Sequence, residues 1–233
     1  MSGIIDWLVR QYTSTFITDN RYRYFVSGFC NTIIIVLGAV AIGVFIGTLV
    51  AIIRVYHVQT DKFKIANRIC GGYLAVFRGT PLVVQLLIMY YIVFASLDNG
   101  ILVAVLTFGI NSGAYVAEIV RAGISAVDFG QTEAGRSLGL SAAQTMFHIV
   151  LPQAFKNILP ALGNEFVTLV KETSVAGYVT VRDFAMAGTY VRSRTAEPYF
   201  SLLFIALVYF ILVYGISQMF RAIEKRMNKS NRN

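Results

Sequence analysis

The chain has 233 residues, of which 56% are hydrophobic and only 14% charged, with a net charge of +8. Ordinary soluble domains carry about 25% charged residues, and a soluble chain of this length could not bury so much apolar surface. The basic residues bracket apolar runs and form no patch, which sets aside nucleic acid as a partner.

Residues 1–24 read as an outer N-terminal segment, in which Ile4, Ile5, Trp7 and Leu8 suit a short interfacial helix. Met1 to Phe16 lacks the basic start and long apolar core of a cleavable signal peptide. Runs without Asp, Glu, Lys or Arg then cover residues 25–53, 79–97, 99–117 and 198–220. Each approaches or exceeds the about 20 residues that cross a bilayer. A further span at 157–181 is interrupted by Glu165, Lys171 and Glu172. The expectation is an all-α integral membrane protein of about five spans, forming one integrated domain over residues 1–233.

Five spans put the termini on opposite faces, and Lys and Arg decide which. With the N-terminus outside, twelve of the 20 basic residues fall in cytoplasmic segments and six in outer ones, with Arg78 and Lys171 within or beside spans. The expected topology is therefore N-terminus out and C-terminus in, with residues 54–68 and 128–152 cytoplasmic and 182–197 external. Residues 221–233 form a basic cytoplasmic tail suited to anionic lipid. Cys30 and Cys70 sit near opposite ends of their spans, so two free thiols and no metal site are expected.

The first span carries Ala39, Gly43, Gly47 and Ala51 at four-residue spacing, a stripe of small residues on which another helix can pack closely. The second opens with Arg78-Gly79-Thr80-Pro81, where a break or kink is expected because proline removes an amide, and Gln85 becomes a buried amide in need of a partner. The third places Thr107, Asn111, Tyr115 and Glu118 on one helical face. The fourth carries Asn164, Glu165 and Thr168. A carboxylate at a helix centre costs about 2.5–3.5 kcal/mol on insertion scales, which makes Glu165 a functional candidate.

Residues 128–152 form a polar, turn-broken stretch that reads Glu133-Ala134-Gly135, three residues, Gly139, nine residues, then Ile149-x-Leu151-Pro152. Asp128-x-x-Gln131 and Ser141-x-x-Gln144 both have the form of capping boxes, and Gly139 suits a left-handed position after a helix. The stretch thus spells helix, sharp turn, helix. Glu133 lies near the positive end of the first helix, Ala134 and Gly135 leave its surface bare, and Leu151-Pro152 marks a stop.

That spacing resembles the cytoplasmic coupling loop of permease subunits in binding-protein-dependent ABC importers. One departure is Gly135, where the family pattern has a second Ala. The run from Phe77 to Gln85 and the segments Lys171-Glu-Thr-Ser-Val and Val181-Arg-Asp-Phe resemble amino-acid-type ABC permeases. The resemblance extends from about residue 25 to the end of the chain.

The resemblance implies a type I importer fold in a bacterial or archaeal cell (inner) membrane and a polar amino acid of the His/Arg/Lys/Gln type as cargo. It implies three partners: a cytoplasmic ABC ATPase dimer, a second permease subunit (identical or paralogous) and an extracytoplasmic solute-binding protein. Glu133, Ala134, Gly135, Gly139, Leu151 and Pro152 are the expected ATPase-coupling residues. The chain has no Gly-x-x-x-x-Gly-Lys-Ser/Thr, so it is not expected to be an enzyme or to hold a cofactor, and ATP with Mg²⁺ belongs on the partner subunits. Glu165 is the candidate acceptor for a substrate ammonium, with Asn111 orienting it and Thr168 and Gln85 in support. Two other functions compete: a stand-alone secondary transporter, which normally needs more spans or an inverted repeat, and a non-transporting scaffold, which leaves Glu165 and Asn111 without purpose.

Overall fold

The computed structural model describes residues 2–229, all of whose regular structure is helical. Helix α1 (Ser2–Tyr12) is short and carries Ile4, Ile5, Trp7 and Leu8 exposed. The long α2 (Tyr22–Thr60) is followed by α3 (Lys64–Gly79) and α4 (Leu82–Ile88), the last prolonged by a π turn to Val93. Next come α5 (Gly100–Ser125), α6 (Phe129–Ser137) and α7 (Ala142–Thr145). The π turn Met146–Val150 leads into α8 (Leu151–Glu172), and α9 (Phe184–Thr195) and α10 (Pro198–Lys229) complete the described chain.

Among the described residues, three helices are long and apolar enough to cross a membrane: α2, α5 and residues 199–227 of α10. The pair α3–α4 qualifies only as one broken span, bent by 109°. The expected second span at 79–97 is therefore corrected. Apolar chain on both sides of the break contributes, because the twelve residues from Leu82 to Val93 rise only about 18 Å as helix. The fourth expected span corresponds to α8, which is not among the helices apolar enough to cross, begins at Leu151 rather than at 157 and gives way to a 3₁₀ segment after Glu172. Two further boundaries move. Helix α2 runs six residues beyond Arg54 to Thr60, and the expected external segment 182–197 contains α9. The last four residues of the expected basic tail, 230–233, lie outside the described chain.

Helix α5 is the centre of the bundle: 61% of its apolar window is buried within the chain, against 33% for α2 and 11% for α10. Helix α2 lies along α5, and the small-residue stripe makes that approach possible. Ala39, Gly43, Gly47 and Ala51 are all buried. A Cβ at Gly47 would lie 2.6 Å from Val116 Cβ and 2.8 Å from the Gly113 carbonyl oxygen. The central core joins Ile35 and Ala39 of α2, Leu86 of α4, Ala104 and Phe108 of α5, and Leu169 of α8. At the opposite end from α6 and α7, Phe25, Phe184, Ala187, Val191 and Ile205 pack α9 against α2 and α10.

Candidate functional site

The α6–α7 hairpin owes its shape to local sequence. The Gly139 amide donates to the Arg136 carbonyl at 3.0 Å and the Leu140 amide to that of Gly135 at 3.2 Å, the paired bonds that close a helix on a left-handed residue. Gly139 has φ +86°, which costs a residue bearing a Cβ about 1–2 kcal/mol. At the start of α7, Ser141 Oγ accepts from the Gln144 amide (3.2 Å) and Gln144 Oε1 from the Ser141 amide (2.8 Å), a complete capping box.

Four local expectations need correction. Asp128 caps α6 by accepting from the Gly130 amide at 2.7 Å, so Gln131 closes no reciprocal box there. Glu133 is the fifth residue of the nine in α6, not at its positive end. Gly135 is buried rather than bare: a Cβ would lie 2.8 Å from both Thr145 Cγ2 and Ile149 Cδ1, so the missing side chain lets the hairpin close on itself. Leu151-Pro152 stops nothing, because Pro152 falls in the first turn of α8, where its missing amide costs little. The hairpin presents Glu133 and Ala134 to the surface, with Phe129 at 72% and Leu138 at 82% exposure.

The break between α3 and α4 is held from inside. Gln85 Nε2 donates to the Phe77 carbonyl (3.0 Å), the Thr80 carbonyl (3.1 Å) and Thr80 Oγ1 (2.8 Å). Asn111 Nδ2 donates to the same Phe77 carbonyl (3.1 Å) and to Gln85 Oε1 (2.9 Å). Pro81 and the bend strip these carbonyls of helical donors, and two buried amides replace them. The structure thus brings Asn111 and Gln85 together, on the break.

Glu165, on α8, meets a neighbouring face of α5. Its Oε1 accepts from Ser112 Oγ at 2.8 Å, one residue on from Asn111 in sequence. It lines a cavity of about 430 Å³ together with Arg78, Tyr115, Glu118 and Asn157. The Arg78 guanidinium stands over the Tyr115 ring, 5.7 Å from its centroid, and approaches Glu118 Oε2 no closer than 3.9 Å. Glu118 is held instead by Arg54 and Arg121, each at 2.8 Å. The cavity therefore offers a guanidinium with donors to spare and a carboxylate on its walls. Thr168 sits one turn from Glu165 and is half-buried. Sequence periodicity does not single out Ser112 and gives Arg78 no partner. An arginine beside a proline break at membrane depth was the available signal.

Residues 43–229 match the family described as "Binding-protein-dependent transport system inner membrane component". The chain is 36% identical over 218 residues to the arginine transport system permease protein ArtQ of Bacillus subtilis, covering 92% of this chain and 96% of the relative. It is 37% identical over 210 residues to a Rickettsia typhi permease whose name assigns it to a glutamine transport system, covering 89% and 94%. Among solved structures, one chain of "an amino acid ABC transporter with histidines" superposes with a TM-score of 0.82 at 37% identity, over 91% of this chain and 98% of that one. A chain of the MetNI methionine ABC transporter, in an inward-facing form, shares the fold with a TM-score of 0.73 at 21% identity, over 88% and 96%.

Proposed function

The chain belongs to the binding-protein-dependent transport inner membrane family as the permease subunit of an amino acid ABC transporter, and we propose that its cargo is a polar amino acid that passes the cavity between Arg78 and Glu165. Such a permease works with an ATPase and a solute-binding protein. In the arrangement we infer, two permease chains share one ATPase dimer, ATP and Mg²⁺ reside on the ATPases, and the α6–α7 hairpin faces them at the cytoplasmic side. The N-terminus is then outside and the C-terminus inside, as the twelve-to-six distribution of basic residues favours.

The observation that carries the substrate reading is the pairing of opposite charges on one wall-lined space of about 430 Å³, within the usual range for small-molecule sites. An amino acid has a carboxylate, which the Arg78 fork can take with two parallel hydrogen bonds, and an ammonium, which Glu165 can accept. Asn111 and Gln85 contribute by holding the break that sets the height of Arg78, and Thr168 adds a hydroxyl on the Glu165 face. Relatives named for arginine and for glutamine, and a solved transporter with histidines, support a polar cargo.

One observation favours a second reading. The Ser112–Glu165 bond at 2.8 Å joins α5 to α8 and would suit a purely structural carboxylate. Glu165→Gln separates the two, since the amide keeps an acceptor for Ser112 and loses the charge. The binding role expects a complex that assembles and hydrolyses ATP normally while transport is impaired. Unchanged transport kinetics in a properly assembled variant would rule that role out.

A further inference from the structure

The hairpin end of the bundle holds another cavity, of about 760 Å³, between the last turns of α2 and α5, the start of α3 and the α6–α7 hairpin. Arg54, Arg121 and Arg136 line it from three helices, Asn67 adds an amide, and among the described residues no Asp or Glu lines it. Glu118 balances one unit of charge through its contacts to Arg54 and Arg121. Arg136 spends one of its five donors on the Leu140 carbonyl, at 2.9 Å. A surplus of guanidinium donors therefore faces the cavity.

Thr145 lines the same space. It is 1% exposed, and its Oγ1 has no hydrogen-bond partner among the described residues. That hydroxyl lies against Gly135 inside the hairpin, where a Cβ would come within 3.1 Å of it, so it adds nothing to the charge of the cavity. Among the residues that line the cavity, Val58 is 82% and Phe129 72% exposed. Cationic donors inside and apolar side chains next to them match a ligand that is anionic at one end and hydrocarbon at the other.

We propose that this cavity seats the headgroup of an anionic phospholipid, with Arg54, Arg121 and Arg136 around its phosphate and its acyl chains over Val58 and Phe129. The functional reading above enters only in assigning the site to the inner leaflet. Arg136 belongs to α6 and Thr145 to α7, so the lipid braces the hairpin against α2 and α5. A basic pocket at a span's cytoplasmic end is a recurrent way of holding such headgroups. A free phosphate shares the headgroup chemistry but has no use for the apolar surface.

The test is native mass spectrometry of the full chain in detergent, titrated with phosphatidylglycerol, with phosphatidylcholine and with inorganic phosphate. One phosphatidylglycerol should stay bound under activation that strips phosphatidylcholine. Arg136→Gln should weaken its binding about five-fold, the worth of one basic residue near anionic lipid, and Arg136→Lys should restore most of it. Asn67→Asp, which places a carboxylate on the wall, gives an independent check if Arg136→Gln folds poorly, and it too should weaken binding. Equal retention of both lipids, or full phosphatidylglycerol affinity in either weakening variant, would overturn the proposal. Displacement of the lipid by inorganic phosphate would assign the site to a soluble anion. Its expulsion on ATPase binding would assign the cavity to the ATPase, and each of these results also overturns the proposal. None of the readouts requires transport, so they are separable from the cargo assignment.

Discussion

Asn111 Nδ2 donates to Gln85 Oε1 at 2.9 Å, tying α5 to α4 across a bend of 109° in the second span. Both amides also donate to the Phe77 carbonyl, so a charge-free pair supplies the donors that proline and the bend remove. The height of Arg78, at the end of α3, is set by the same bonds.

Replacing either amide with Leu should therefore destabilise the chain by about 1–3 kcal/mol, the cost of leaving buried carbonyls unpaired. Asn111→Leu together with Gln85→Leu should cost less than the two singles combined, because they share one bond and one acceptor. Thermal unfolding in detergent measures this. A melting midpoint that does not move in either single variant would contradict the assignment.

Gly139→Val forces a β-branched side chain into φ +86°. The expected loss is about 1–2 kcal/mol, confined to the hairpin. The spans should insert normally, while ATP hydrolysis becomes uncoupled from transport in the assembled complex. Transport at the parental rate would mean that the hairpin is only a connector.

Orientation is open to a direct check. With Cys30 and Cys70 replaced, a single cysteine at Asn99 should react with an impermeant reagent added to intact cells, and one at Gln131 should not. Reaction at Gln131 alone would invert the topology.

Asp183 caps α9 through bonds from the Ala185 and Met186 amides, both at 3.0 Å, and is fully buried. Burial pushes its carboxyl up from 3.8 to about 6, while the amides and the Tyr209 hydroxyl oppose the rise. The folded state therefore holds this proton more tightly than the unfolded chain. Its contribution to stability is complete below pH 3.8 and is lost as pH rises through about 6. Thermal unfolding of the parent relative to Asp183→Asn should show that loss within this window and no further change above it. A parent that gains stability relative to the variant across the window would reverse the sign.

Much of the candidate site was legible in the sequence because it rests on local rules. Gly139 closes a helix by its own φ, Ser141 and Gln144 cap each other three residues apart, and Pro81 removes the amide that the Phe77 carbonyl would need to carry the helix on. The burial of Gly135 is invisible to local rules for the complementary reason. Its neighbours Thr145 and Ile149 lie ten and fourteen residues on, and only the folded hairpin brings them near.

The sequence by itself determined a helical membrane chain, three of its apolar spans, the break before Leu82 and the turn-broken hairpin between α5 and α8. Each follows from hydropathy, proline or capping within a few residues. Only the tertiary structure decided which polar groups meet. The face of Thr107, Asn111, Tyr115 and Glu118 turns toward the broken span and Arg54, while Glu165 finds Ser112 on another face of α5. Helical periodicity says which residues share a face. Which helix that face meets depends on how small residues such as Gly43 and Gly47 let α2 close on α5 and leave its remaining sides to α3, α4 and α8.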